Sequence, residues 1–214
     1  YSNNIFYLQQ IIDWEIPFVQ VDKMSKLIPS SQVVINDQKA AYQAVKHLIE
    51  KGCKKIAHIR GPLNPQNAID RFLGYKKALE DHNIPFDSSL VYPCKHVTFE
   101  EGKEFAAKIL ADHKNVDGIF VITDMVAVGV LAHFNEHQIK VPDQIKIIGF
   151  SNWFMSQVIT PKLSTVDQPS FEMGEQAFKL LLEEMVARKE YLPFTPRTIE
   201  LETSIIERES TFWN

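Results

Sequence analysis

Six consecutive residues, Ile145-Lys146-Ile147-Ile148-Gly149-Phe150, carry four β-branched or aromatic side chains and only one charge. Such a run reads as a strand covered on both faces, the place of a central strand in a parallel sheet. In open α/β sheets ligands bind just beyond the carboxyl ends of such strands, where the chain turns and exposes backbone and short polar side chains. Ser151 and Asn152 stand at that edge. A second extended run, Leu163 to Asp167, lies between Pro161 and Pro169, each of which disfavours helix in the residue ahead of it. It reads as a crossover between two lobes.

The rest of the chain alternates in the same way. A helix is expected after Asn4, through about Trp14, with Ile5, Leu8, Ile11 and Ile12 on one face, and then a strand from Pro17 to Asp22. Gln32 to Asn36 is a strand, and Asp37 starts a helix that Gly52 terminates. The unit repeats as strand Lys55–Ile59 and helix Asn67–His82, then short strand Leu90–Tyr92 and helix Phe99–Ala111, then strand Gly118–Ile122 and helix Asp124–His137. After the crossover come helix Ser170–Arg188, with Met173, Ala177, Leu180 and Leu181 inward, and strands Arg197–Leu201 and Ser204–Glu207. Strands alternating with helices of this length predict parallel βαβ units in doubly wound sheets. The first helix and strand cannot form a sheet alone. The reading that results has two lobes, residues 1–36 with 167–190 and residues 38–162 with 195–211, hinged at the Pro-flanked crossings and near Glu190 as a clamshell.

Composition excludes several classes. A net charge of −4, with Lys and Arg scattered, argues against a nucleic-acid surface on this stretch, so any DNA contact is expected elsewhere in the protein. No apolar run reaches the length of a membrane span, and no basic apolar leader opens the chain. Cys53 and Cys94 have neither metal-like spacing nor the numbers of a disulfide framework, in keeping with a reducing cytoplasm. The chain opens on Tyr1 rather than Met and enters a helical pattern directly, which leads us to expect further sequence upstream.

Three motifs bear on chemistry. His133-Phe134-Asn135-Glu136-His137 matches H-x-x-E-H, in which two histidines one helical turn apart bind zinc beside a catalytic glutamate; it sits at a helix tail with no third ligand signalled, and no metal or other cofactor is expected. Gly149-Phe150-Ser151 starts a nucleophile elbow but Trp153 replaces its second glycine. No phosphate-cradling glycine pattern occurs, and no catalytic residue is assigned. Polar residues do gather at strand ends: Asp22, Asn36-Asp37, Thr123-Asp124 and Ser151-Asn152, with Asn67 and Arg71 opening a helix after the Gly61-Pro62 break. Arg71 has the planar fork that clamps a carboxylate or bridges sugar hydroxyls, or else it pairs with Asp70 or Glu80 at the surface. Thr123 is equally read as a helix cap. Trp153, Phe154 and Met155 either wall a pocket or meet a partner subunit.

Taken in order, His47–Gly52, Lys55–Pro62, Arg71–Tyr75, Thr123–Gly129, Val141–Ile145, Thr160–Pro169, Met173-Gly174 and Ile206–Ser210 resemble the effector-binding core of the lactose-repressor (LacI/GalR) family across essentially the whole chain. The resemblance implies an α/β, two-lobed, periplasmic-binding-protein-like clamshell whose N-terminal lobe is incomplete here. It further implies a cytoplasmic homodimer whose operator DNA is bound by an N-terminal helix-turn-helix absent from this chain, under control of a sugar or sugar-like effector. By motif position Arg71 takes the sugar-clamping role, and Asp22, Asn67, Thr123, Ser151 and Gln168 take further contact positions. Two residues depart from the family pattern: Ser151 replaces a common aspartate and Val97 a common aromatic ring, for which Trp153 is the expected substitute. The alternative is a periplasmic sugar-binding protein of an importer, which shares the clamshell. An enzyme comes third, supported by H-x-x-E-H alone.

Overall fold

The computed structural model describes residues 2–23 and 28–212; the side chains of Asn4 and Ile5, expected to cap and line the first helix, lie outside the described residues. In chain order the elements are α1 (Ser2–Asp13), β1 (Val19–Val21), β2 (Ser31–Ile35), α2 (Asp37–Glu50), β3 (Ile56–Arg60), α3 (Gln66–Asp81) and β4 (Val91–Pro93). There follow α4 (Phe99–Asp112), β5 (Gly118–Val121), α5 (Asp124–Glu136), β6 (Lys146–Phe150), α6 (Met155–Val158), β7 (Ser164–Asp167), α7 (Ser170–Lys189), β8 (Thr198–Leu201) and β9 (Ser204–Ile206). The chain divides into two compact units, Tyr1–Asn36 with Pro169–Glu202, and Asp37–Gln168 with Thr203–Asn214.

The smaller unit is built on a parallel three-stranded sheet in the order β1-β2-β8. α7 turns Met173, Leu180, Glu184 and Ala187 inward, while Ala177 and Leu181 are only half-buried. Glu184 is tolerated among them because Arg188, one turn on, donates to it through Nη2 at 2.6 Å and Nε at 3.1 Å. Two expectations are corrected here. Residues 195–211 do not all belong to the larger unit, since β8 pairs in register with β2 and only the chain after Glu202 returns. Glu190 is not a crossing either; it caps α7 within the smaller unit.

The larger unit carries a six-stranded sheet in the order β4-β3-β5-β6-β7-β9, parallel except for β9, which runs antiparallel to β7 at the edge. Every residue of β3 and β5 is buried. Alternation along the strands separates two faces: Ala57, Ile59, Ile119, Val121 and Ile147 pack with Phe105, Ile109, Val130 and Leu131 of α4 and α5. On the other face His58 stacks on Phe120 at 4.7 Å between ring centroids and meets Tyr75 of α3 at 5.0 Å. The Leu163 to Asp167 run is therefore corrected: it is not a crossover but an interior strand, and this passage between the units comes after Gln168. Pro161 and Pro169 bound the strand, as their missing N–H groups require. Among the described residues no helix is long and apolar enough to cross a membrane.

Helix pairing on the larger sheet depends on small residues. A Cβ added at Gly129 of α5 would collide with the Phe99 carbonyl oxygen, and one at Gly102 of α4 with the Val126 carbonyl oxygen, so the two backbones touch where both side chains are absent. Gly174 of α7 faces open space. Two substitutions should therefore differ in sign. Gly129→Ala is expected to destabilise by about 1–3 kcal/mol through overpacking. Gly174→Ala should be neutral or stabilise by up to about 1 kcal/mol through helix propensity, both read from denaturant midpoints.

Candidate functional site

The connections of the larger sheet define a switch point. From β3 the chain moves outward through α3 to edge strand β4, then returns past β3 to β5 and continues the other way through α5 to β6. The helices leaving β3 and β5 lie on opposite faces, so the carboxyl ends of these neighbouring strands border a crevice, the position at which doubly wound sheets bind ligands.

Arg71, on the second turn of α3, is brought to that point and is buried. Its Nε donates to Asp37 Oδ1 at 2.7 Å, its Nη1 donates to the Ile122 carbonyl at 2.8 Å, and its guanidinium lies 3.5 Å from the centroid of the Phe150 ring. The partner is neither Asp70 nor Glu80 but the buried first residue of α2, 34 positions back. One side chain thus joins the start of α2, α3, and the ends of β5 and β6. Arg60, the last residue of β3, is also buried; it donates through Nε to its neighbour's carbonyl at 3.3 Å and lies 4.4 Å over Phe72, with no carboxylate partner among the described residues. Arg60 was not among the expected site residues, and Asp37 was expected only as one of the polar strand ends. A cation closing an otherwise apolar strand was the signal for Arg60.

At the end of β6, Ser151 and Asn152 both have positive φ, 102° and 50°. The turn is held from beneath by Asp124, a fully buried carboxylate at the start of α5. Its Oδ2 accepts from the Trp153 N–H at 2.7 Å and its Oδ1 from the Thr165 hydroxyl at 2.7 Å. Gly149 is a glycine because a Cβ there would occupy the place of Asp124 Oδ1. Asn152 faces this scaffold: its Nδ2 donates to Asp167 Oδ1 at 2.8 Å and its Oδ1 accepts from Arg208 Nη2 at 2.7 Å. Arg208 also donates through Nη1 to the Leu163 carbonyl, tying the returning C-terminal segment to β7.

The other expected residues are distributed as follows. Asn67 is half-buried in the first turn of α3, with Oδ1 accepting from the Ala68 N–H at 2.9 Å. Thr123 is the N-cap of α5, its hydroxyl accepting from the Val126 N–H. Trp153 is 40% exposed. Gln168 is half-buried directly after β7, and Asp22 follows β1 in the smaller unit with φ 62°. Val97, where an aromatic ring was expected, adopts φ 60°, a conformation strained for a β-branched residue. Its loop is fixed by Glu101, whose carboxylate accepts from the N–H groups of Lys95, His96 and Val97. His133, Glu136 and His137 lie at the opposite end of α5 from Thr123, roughly 15–20 Å away at 1.5 Å per residue, so the H-x-x-E-H motif takes no part in this edge.

Burial raises the Asp124 carboxyl to about 6, against hydrogen bonds from Thr165, Trp153 and Phe150 and the charge of Arg208, all of which favour the ionised form. A carboxyl that binds its proton more tightly when folded adds stability at low pH and loses it as pH rises through 6. His58, held neutral by burial and lowered to about 3, acts in the opposite direction as pH falls below its unfolded value. Asp124→Asn isolates the first effect. Relative to wild type, the variant should gain on the order of 2–3 kcal/mol between pH 4 and pH 7, measured by denaturant unfolding; a constant difference across that range would contradict the assignment.

Comparison with known proteins agrees with this topology. The periplasmic binding protein-like domain model matches residues 45–211. The transcriptional regulator DegA of Bacillus subtilis is 35% identical over 169 residues, covering 79% of this chain and 50% of that protein. The ribose operon repressor of Halalkalibacterium halodurans is 32% identical over 198 residues, 92% of this chain and 56% of the repressor. The chain thus spans about half the length of these relatives. Among solved structures, the transcription regulator CcpA of Lactococcus lactis superposes with a TM-score of 0.85 at 32% identity, covering 95% of this chain and 73% of that one. A LacI-family regulator from Enterococcus faecium with bound ribose gives 0.82 at 27% identity, covering 94% and 72%. These relatives are regulators, and the importer reading is not favoured. On the domain match and on these relatives, the chain belongs to the periplasmic binding protein-like domain family in the form carried by LacI-family transcriptional regulators.

Proposed function

We propose that this chain is the effector-binding and dimerisation core of a bacterial regulator of the LacI type, and that a small metabolite bound at the carboxyl ends of β3, β5 and β6 controls operator binding by an N-terminal DNA-binding domain. The observation that carries the proposal is the junction at Arg71, where the ends of three elements of the sheet edge meet on one guanidinium at the topological switch point. In this reading Asn67, Ser151 and Trp153 meet the ligand. Arg71, Asp37 and Asn152 hold the edge that presents them, and Thr123 caps the helix below. Asp22, after β1, and Gln168, after β7, supply further contacts. The protein works as a homodimer in the cytoplasm and makes or breaks no bond.

The effector is a sugar or sugar-like metabolite. Amide and hydroxyl groups with one exposed indole suit a pyranose or furanose, and Arg60 adds a receptor for an anionic substituent. Two relatives support the class, one named a ribose operon repressor and one solved with bound ribose. A differential affinity of about 1–3 kcal/mol between the two states of the core would alter operator binding roughly 5- to 150-fold.

A thermal-shift screen over mono- and disaccharides and sugar phosphates tests this. Arg71→Ala is a poor control, because it leaves Asp37 buried without its cation, at a cost of about 3–5 kcal/mol. Asn67→Ala and Trp153→Ala remove little else. At one hundred times its dissociation constant the effector should stabilise wild type by about 2.7 kcal/mol, a rise of several degrees, and do far less for either variant. No response to any of these compounds, or equal responses in all three proteins, would refute the proposal.

A further inference from the structure

We propose that His133 and His137, with Glu136 beside them, form a surface site for one divalent transition-metal ion at the C-terminal end of α5. Nothing in the effector reading uses these residues, and no metal was expected from their sequence. The geometry assigns them a shared task. Each offers a ligand atom, and all three atoms lie within 4.8 Å of one another. His137 continues the helical hydrogen bonding, its N–H donating to the His133 carbonyl at 3.1 Å. Its ring Nδ1 lies 2.9 Å from the same carbonyl, which can only accept. That contact fixes the tautomer, so in the neutral ring Nε2 carries a free lone pair. Orientation of one imidazole nitrogen by a backbone carbonyl on the other is how proteins prepare histidine for a metal.

The second ring is ready in a different way. His133 is stacked on His137 with centroids 4.0 Å apart, and its ring nitrogens make no hydrogen bond among the described residues. The third ligand already holds a cation, since Glu136 Oε1 accepts from Lys103 Nζ of α4 at 2.7 Å. The negative end of the α5 dipole favours positive charge at the same place.

Two imidazoles and one carboxylate select borderline metals, Zn2+, Ni2+ or Cu2+, over Mg2+ and Ca2+, which require oxygen cages. A metal entering here has to compete with Lys103 for Glu136. The site stands apart from the sheet edge, so effector binding and metal binding are separable. The second and third hydrogen-bonded turns of α5 intervene between them.

Isothermal titration of the full-length, tag-free protein with ZnCl2 and with NiCl2 tests this. One ion per chain is expected. His133→Ala and the more exposed His137→Ala should each weaken binding by at least roughly tenfold, by analogy with the loss seen when supporting groups are removed. Lys103→Gln should tighten it several-fold by freeing Glu136. Absence of binding in the wild type, or binding unchanged in the His133→Ala/His137→Ala double variant, would overturn the site. Unchanged affinity in Lys103→Gln would remove Glu136 from the ligand set.

Discussion

A buried ion pair governs the working edge of the larger unit. Arg71 and Asp37 are both almost fully excluded from solvent, and two such charges are expensive to desolvate. Contacts around the pair offset that cost: a 2.7 Å charged hydrogen bond, the Ile122 carbonyl on Nη1, and the Phe150 ring beside the guanidinium. The pair makes the positions of α2, α3, β5 and β6 mutually dependent at the sheet's carboxyl edge. Losing either partner would leave an uncompensated charge in the interior.

A second buried group does the same work one strand over. Asp124 replaces what a loop could not hold by itself, two consecutive positive-φ residues at Ser151 and Asn152, by accepting from the N–H that follows them. Thr165 on β7 and Gly149 on β6 are fitted around its carboxylate, and Arg208 braces Asn152 from the C-terminal segment. Beneath a polar surface there is thus a layer of ionised groups whose partners are all internal. Asn67, Ser151 and Trp153, the proposed ligand contacts, carry short neutral or aromatic side chains, and a ligand meeting groups held in place this way has no loop to order first.

Much of the fold was legible because its signals are local. Isoleucine-rich runs and helical spacing located the strands and the longer helices of the larger unit to within a residue or two, since strands buried on both faces cannot carry polar alternation, while the four-residue α6 went unread. The errors were non-local. Leu163 to Asp167 looks like a linker because prolines bracket it, and nothing in those five residues reveals that β6 and β9 pair on either side. Arg197 to Leu201 and Ser204 to Ile206 are adjacent in sequence and read as one ending, yet they pair with β2 and β7 in different units. At the site, strand-end polarity pointed to the carboxyl edge of the larger sheet but not to the pairing of its charged groups. Arg71 and Asn152 were read as ligand contacts, and each has an internal partner far away in sequence, Asp37 and Arg208, 34 and 56 positions distant. Sequence spacing cannot signal a pairing of that range.

The account reduces to a claim about place: that the effector sits on the carboxyl edge of the six-stranded sheet. Hydrogen exchange of the full-length protein, with and without whichever sugar stabilises it, addresses this directly. Ligand-induced protection is predicted at the ends of β3, β5 and β6, in residues 60–72, 122–126 and 150–154, with the C-terminal turn of α5 unaffected. Protection confined to other surfaces, with these three segments exchanging at their unliganded rates, would contradict it.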